Sequence, residues 1–429
     1  MTKNKSHQSF NQDQKKVLIL SSLGGALEYY DFIIYIYLTN IIEKLFFAQN
    51  TPYIGTLKTL AIFSIGYLLR PLGGLVFSHF GDRYGRKVVF ILTVLFMAIP
   101  SLGIGLLPTT AQIGWLAPMM LLIFRMLQGL ALGGEIPAAI TFVSEHVAGY
   151  RQGFSLATLF VGINLGMLLA SGVITVISSL YSEQELYTFA WRIPFILGGL
   201  FGCGSLFLRF YLNETAVFQA LHDTERQKIP VVTLMRESWR QVLQGMFLIS
   251  VASVCVFVFL YWPQYLHQYF DYDFAMLMRV NTIGTLICSL LIILGGLLVD
   301  RFGPRPIYLI STALLVVFGY GLFWLVGLHS MGWVIVSYLS LSAIFCMLPS
   351  AYSIMLTEFF STPVRYSGIA MSYNLAYALF GGLSPLIFTI MIESLHSSFA
   401  PGIYLTFVAF ISWCVCYRMN NITFKTDKN

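Results

Sequence analysis

Apolar runs of twenty or more residues recur along almost the whole of this chain, and that feature leaves few folds open. Hydrocarbon holds no water to satisfy backbone N–H and C=O groups, so each run must bond internally as a helix. Only 10% of the 429 residues are charged and 57% are hydrophobic, whereas a soluble domain carries about 25% charged residues. The chain therefore reads as an all-α polytopic membrane protein whose first partner is the lipid bilayer.

The runs resolve into twelve predicted helices: 17–47, 56–79, 88–107, 115–145, 152–180, 190–212, 241–268, 276–299, 306–328, 331–358, 365–392 and 400–418. The one long connection, 213–240, carries eight charged residues. It separates a six-helix bundle at 17–212 from a second at 241–418, flanked by tails 1–16 and 419–429. Lys and Arg placement sets the orientation of such a chain. The side holding both tails, the central loop, the loops at Asp82 and Asp300, Arg151 and Arg365 has 19 of them, against four opposite: Lys44, Lys58, Arg192 and Arg279. Both termini are thus expected in the cytoplasm.

The net charge of +6 follows this topology, and no nucleic-acid partner is expected. The polar start Met1–Lys16 precedes a long helix carrying Glu28 and Asp31, which argues against a removable signal peptide. Six cysteines fall within predicted helices at neither disulfide nor zinc spacing, so no metal site is expected. There is no Walker loop, HExxH or GxSxG elbow, and neither ATP-driven transport nor enzymatic hydrolysis has support.

A charged hairpin repeats at about half the chain length. FSHFGDRYGRKVVF (Phe77–Phe90) and GGLLVDRFGPRPI (Gly295–Ile307) share Asp-Arg-aromatic-Gly when Asp82 is set on Asp300. Glu145 and Arg151 between helices 4 and 5 recur as Glu358 and Arg365 between helices 10 and 11. Such halves read as a parallel repeat about an axis along the membrane normal, with substrate between them and access alternating as they rock. Asp82, Arg83, Arg86, Glu145 and Arg151, with Asp300, Arg301, Glu358 and Arg365, form the expected cytoplasmic gate. Asp82 is expected to face the positive N-terminal end of helix 11 and Arg86 to reach Glu145, locking an outward-facing state.

At these residues the chain resembles a major facilitator superfamily carrier. FSHFGDRYGRK is similar to that superfamily's loop between helices 2 and 3, and Arg125-x-x-Gln128-Gly129-x-x-x-Gly133 to its helix 4 motif. Four stretches resemble the metabolite:proton symporter branch, which includes proline/betaine, citrate, α-ketoglutarate and shikimate carriers. They are GGALEYYDFIIY from Gly24, GYLLRPLGGLVFSHFGDRYGRK from Gly66, RMLQGLALGGEIPAAITFVSEH from Arg125, and WRIPFILGG from Trp191 with the NETAVF that follows. Ser78 stands where the signature loop opens with Gly, and is still small enough for close helix approach. The chain stops about ten residues after helix 12, so the osmotic regulation of carriers with a long C-terminal extension is not expected. The resemblance implies a bacterial inner-membrane carrier of a small-molecule substrate, functional as a monomer, with protons as coupling ion and no other cofactor.

Five ionisable residues lie at membrane depth in the first half: Glu28, Asp31, Arg70, Arg125 and Glu135. Each costs several kcal/mol unless paired or hydrated. Glu28, Asp31 and Tyr35 share one helix face, and Arg125, Gln128 and Glu135 fall within an arc of about 80° on helix 4. Three carboxylates against two permanent cations leave one acid without a fixed partner. Desolvation favours the neutral form of that acid, which suits it to carry a proton. Asp31 and Glu135, then Glu28, are the candidate proton carriers, with Arg125 their partner. Arg70, followed by Pro71, suits bidentate recognition of a substrate carboxylate. The alternative is a set of static ion pairs orienting helices 1, 2 and 4.

The second half has almost no charge at mid-depth. It offers Tyr261, Trp262, Gln264 and Tyr265 on helix 7, Asn281 on helix 8, and Tyr373, Asn374 and Tyr377 on helix 11. The substrate-binding candidates are Arg70, Tyr35, Gln128, Tyr265, Asn281, Tyr373, Asn374 and Tyr377. An aromatic wall suits an apolar or quaternary-ammonium group, while interfacial anchoring accounts equally for the helix 7 aromatics. These residues point to secondary active, proton-coupled uptake of a small polar metabolite such as an amino acid, a betaine-like zwitterion or an organic acid. A proton-antiporting exporter of drugs or siderophores and a transporter-like solute receptor are the alternatives.

Overall fold

The computed structural model describes residues 26, 29–47, 51–84, 86–146, 151–210, 238–360 and 365–419, and among them there is no β-strand. The first half contains α1 (29–37), α2 (Thr39–Phe46), α3 (Pro52–Leu68), α4 (Arg70–Tyr84), α5 (Arg86–Leu106), α6 (Thr110–Ile113), α7 (Leu116–Ala131), α8 (Glu135–His146), α9 (Gln152–Leu180) and α10 (Glu183–Glu185). A π-helical turn, Leu186–Ala190, then leads into α11 (Arg192–Phe210). The second half contains α12 (Trp239–Phe270), α13 (Phe274–Phe302), α14 (Pro304–Val326), α15 (Met331–Phe345), α16 (Leu348–Phe359), α17 (Arg365–Ala376), a π-helical turn at Tyr377–Gly381, α18 (Ser384–Leu395) and α19 (Ala400–Arg418).

Local chemistry sets the ends. Asp273 caps α13 by accepting from the Met276 N–H at 2.7 Å. Gly303, at φ 89°, ends that helix where a Cβ would be strained, and Pro304 opens α14. Ser182 and Glu185 form a reciprocal capping box on α10. There Glu185 accepts from the Ser182 backbone N–H and hydroxyl, both at 2.8 Å.

Eight helical units are long and apolar enough to cross a membrane among the described residues, and a ninth joins Glu183–Ala190 to Arg192–Gly204 across a 42° bend. Leu92–Leu106 and Leu116–Ala131 are shorter apolar helices. Polarity runs opposite to that of a soluble protein. On α13, Ile283, Leu286, Leu290, Leu294 and Leu297 are exposed, while Asn281, Thr285 and Ser289 are buried. That arrangement is stable where the surrounding solvent is hydrocarbon.

Several predicted helices are interrupted rather than continuous. The first turns at Leu38, the second at Leu69, the fourth at 132–134, the tenth at 346–347, and the eleventh through its π-turn. Helices four and ten occupy equivalent places in the repeat, so the duplication extends to the breaks. Glycine lets the first-half helices meet backbone to backbone. A Cβ on Gly129 would lie 2.0 Å from the Gly66 carbonyl oxygen, and one on Gly133 2.3 Å from that of Arg70.

The two halves meet along α9 and α13. Thr175 and Thr282 share a hydrogen bond at 2.9 Å, and Asn164 donates to Ser289 at 3.4 Å. At one end the Asp300 carboxylate accepts from the backbone N–H groups of Gly153 (2.6 Å) and Phe154 (2.9 Å), and Ser350 donates to the Gly153 carbonyl at 3.0 Å. At the other end Gln264 donates to the Tyr37 carbonyl, Asn281 to the Tyr37 hydroxyl at 3.0 Å, and Arg279 to Ser179 at 3.4 Å. Contacts between the halves therefore close both ends.

Candidate functional site

Between the closed ends lies a cavity of about 20 Å³, room for roughly one water. Tyr29, Asn164, Tyr352, Tyr373 and Tyr377 line it, with apolar neighbours from both halves. The Tyr373 and Tyr377 rings stack at 4.4 Å, as their one-turn spacing allows. Behind them sits Arg70, only 1% exposed. Its guanidinium carbon is 5.2 Å from the Tyr67 ring centroid, 5.5 Å from Tyr377 and 5.9 Å from Tyr373. The break at Leu69 places Arg70 at the first position of α4, where its Nη2 reaches the Leu132 carbonyl at 3.5 Å. Its Nε has no hydrogen-bond partner. The site joins a fixed cation to three aromatic faces at the seam.

A second polar cluster lies inside the first half. Arg125 is fully buried. Its Nη1 donates to Gln128 Oε1 at 2.9 Å and to the Phe32 carbonyl at 3.4 Å. Gln128 Nε2 donates in turn to Ser101 Oγ at 2.8 Å. Ser101 also faces the carboxyl group of Asp31, which is buried and within electrostatic reach of Arg125. Asp31 Oδ1 and Arg125 Nε and Nη2 have no hydrogen-bond partner. A Cβ on Gly198 would fall 1.8 Å from Asp31 Oδ1, so Asp31 points toward α11 and away from the cavity lined by Tyr29. The acid and the arginine lie within electrostatic reach of each other, and each keeps unpartnered polar atoms.

The other candidates separate by place. Tyr35 donates to the Thr59 carbonyl at 3.1 Å, and its ring lies 4.5 Å from the Arg125 guanidinium, which with Gln128 puts it in the second cluster. Tyr265 packs among Trp262, Phe270 and Phe323 and donates to the Ser398 carbonyl, within the second half. Asn281 belongs to the end contact at Tyr37. Asn374 donates to the Gly133 carbonyl across the seam, beside the break between α7 and α8. Of the gate residues, Asp300 meets the α9 amides, Arg301 and Glu358 are exposed, and Arg365 donates to the carbonyls of Thr357 (3.1 Å) and Phe360 (3.3 Å) at the end of α16. Arg151 is exposed at the start of α9. Glu28 lies outside the described residues, as do the side chains of Glu135, Asp82, Arg83, Arg86 and Glu145.

The Major Facilitator Superfamily family model matches residues 22–385. The chain belongs to the major facilitator superfamily. It is similar to the proline/betaine transporters of Salmonella typhimurium (32% identical) and Escherichia coli K12 (33%), each over 92% of this chain and 81% of the relative. It is also 32% identical to a putative proline/betaine transporter of Staphylococcus haemolyticus, over 94% of this chain and 87% of that one. These relatives place it in the metabolite:proton symporter branch of the superfamily. Among solved structures, a D-xylose-proton symporter superposes with a TM-score of 0.75 at 17% identity, covering 93% of this chain and 97% of that one. A partially occluded, inward-open xylose transporter from E. coli gives 0.74 at 18% identity, covering 95% and 97%. The chain is thus a membrane transporter of the major facilitator fold, and not an enzyme.

Within this fold, sequence reasoning missed Tyr67 and Ser101 beside the two arginines, and Tyr29 and Tyr352 at the cavity. Tyr67 had a signal, since it lies one turn before Arg70. Tyr29 and Tyr352 had none, because a chain with 24 Tyr and 36 Phe does not mark which rings face a cavity.

Proposed function

We propose that the protein imports a small zwitterion, a carboxylate joined to a secondary or quaternary ammonium group, together with a proton by alternating access. One observation carries the substrate class: Arg70 lies behind a wall of tyrosines that lines a small cavity between the halves. A guanidinium suits the carboxylate and tyrosine faces suit an alkylated cation. The names of the bacterial relatives, proline/betaine transporters, point the same way. A cavity of about 20 Å³ is far below the few hundred Å³ of a ligand-filled pocket, so the halves must part to admit substrate.

Proton carriage belongs to the buried acids, Asp31 foremost. Its carboxyl group has an unpartnered oxygen near a permanently charged arginine, so gain or loss of a proton changes what Arg125 sees. Glu28 and Glu135 keep their candidacy. Asp300 at the amides of α9 serves as one gate contact, and the repeat assigns Asp82 the equivalent contact at the start of α17. The nine apolar units, with the first-half segments at 29–46, 86–106 and 116–146, fit twelve spans in a monomer of a bacterial cytoplasmic membrane, with both termini inside. Uptake of radiolabelled proline and glycine betaine into proteoliposomes, driven by an imposed pH gradient, tests the reading. Accumulation of either supports it, and indifference to the gradient sinks it.

A further inference from the structure

The two polar sites are separate: Asp31 points into the first half, whereas Arg70 faces the seam. An unbroken row of aromatic contacts joins them. The Arg125 guanidinium lies over the Phe32 ring, 4.1 Å from its centroid, and 5.4 Å from that of Phe63. Phe32 meets Tyr67 edge to face at 4.5 Å and 88°. Tyr67 carries Arg70 at 5.2 Å on the side of the cavity. Tyr67 also crosses the seam, packing on Phe257 at 4.8 Å and pressing on Gly382, whose Cβ would fall 2.3 Å from its own. Phe32 and Tyr67 are both fully buried, so neither ring moves without displacing the other.

We propose that Phe32 and Tyr67 are the positioning residues that couple the proton site to the substrate site. This role presupposes the proton-coupled import proposed above. Arg125 has two claims on it: an ionised Asp31 attracts it by charge, and the Phe32 face attracts it by the ring quadrupole. Its unpartnered Nε and Nη2, and the unpartnered Asp31 Oδ1, are bonds that a shift of the guanidinium can complete. When Asp31 takes a proton from the outer medium, the charge attraction ends and Arg125 rests on Phe32. When the proton leaves on the other side, Arg125 is drawn back and Phe32 is released. Tyr67 follows Phe32, and Arg70 follows Tyr67 toward or away from the cavity. The described charged and titratable groups facing Asp31 are Arg125 from α7 and Tyr30 on its own helix, while Ser101 of α5 and Gly198 of α11 contribute no charge.

The test uses the full chain in proteoliposomes with radiolabelled glycine betaine and proline as probes. Two modes are measured: accumulation under an inside-alkaline pH gradient, and counterflow exchange without a gradient. Phe32→Leu keeps most of the volume but removes the quadrupole, and is expected to lower the ratio of accumulation to counterflow roughly tenfold, within the range usual for coupling between two sites. It should also flatten the pH profile of KM. Phe32→Tyr should restore both. Tyr67→Leu breaks the same row from its other end and should reproduce the loss, which keeps the test open if one variant fails to fold. A wild-type ratio and pH profile in Phe32→Leu, with wild-type accumulation intact, overturns the coupling role alone. Equal loss of both modes in both leucine variants also overturns it, because that is the effect of lost packing. If wild-type uptake is absent or ignores the gradient, the functional reading fails and the coupling role falls with it.

Discussion

Arg70 and Arg125 are both buried arginines on helices of the first half, yet their neighbours assign them different tasks. Arg70 meets tyrosines from both halves, and Arg125 meets an amide, a backbone carbonyl and two phenylalanines from its own half. Removing the carboxylate partner should hurt binding: Arg70→Ala is expected to lower kcat/KM roughly 10- to 150-fold, the equivalent of about 1.5–3 kcal/mol for a charge-assisted bond. Isothermal titration or initial-rate uptake measures it, and Arg70→Lys should recover only part because it lacks the planar fork. Asp31→Asn should act on coupling instead, abolishing accumulation under a pH gradient while counterflow persists. Equal loss of both modes would return Asp31 to a structural pair. Both arginines and Asp31 were legible in the sequence because a charge in an apolar run stands out. Which of them faces the seam was not legible, since helix periodicity fixes the spacing of a face but not the neighbour it turns to. Tyr35 shows this: it shares a face with Asp31 as predicted, and that face looks into the bundle.

At the scale of elements, helix breaks and glycine crossings do most of the positioning. The break at Leu69 sets Arg70 at the start of α4, and the one at 132–134 frees carbonyls that Arg70 and Asn374 use. Helix existence was legible from apolar runs, and Pro71 and Pro385 follow closely on the breaks at Leu69 and at the π-turn Tyr377–Gly381. The turn at Leu38 has no proline in the four residues after it, and packing selects it. The α9–α13 seam is similarly sensitive. A Cβ on Gly153 would sit 2.5 Å from the Gly296 carbonyl oxygen, a backbone atom that cannot swing aside. Gly153→Val should therefore disfavour closure at the Asp300 end. In a cysteine-free background, Ser350→Cys, one hydrogen bond from Gly153, should then react faster with a thiol reagent. Unchanged labelling would mean that Gly153 does not limit closure. Asp300→Asn should shift labelling the same way by a smaller amount, since it weakens bonds to a helix N-terminus worth about 0.5–2 kcal/mol.

For the whole molecule, the repeat organises the account. Asp300 of the second half caps α9 of the first, and the equivalent contact predicted for Asp82 would cap α17 of the second. Each half would then hold the other at one end. The Lys and Arg bias predicts the orientation: single cysteines at Lys44 and at Arg301 should be labelled from opposite faces of the membrane, and labelling from the same face would refute the twelve-span topology. Lys44 is exposed, 3.8 Å from Glu183 and over the Tyr187 ring. The duplicated hairpins helped make the major facilitator fold legible from sequence. The closure of both ends was not, because it depends on contacts such as Tyr37 with Gln264 and Asn281 that join residues more than 200 positions apart.

The central claim is that a proton and a small zwitterion cross together. Proteoliposomes loaded with a pH-sensitive dye test it most directly: glycine betaine or proline is added outside without any imposed gradient, and the lumen is followed over time. The account predicts luminal acidification that begins with substrate, saturates with its concentration, and disappears in Asp31→Asn. Substrate entry with no change in luminal pH would contradict it.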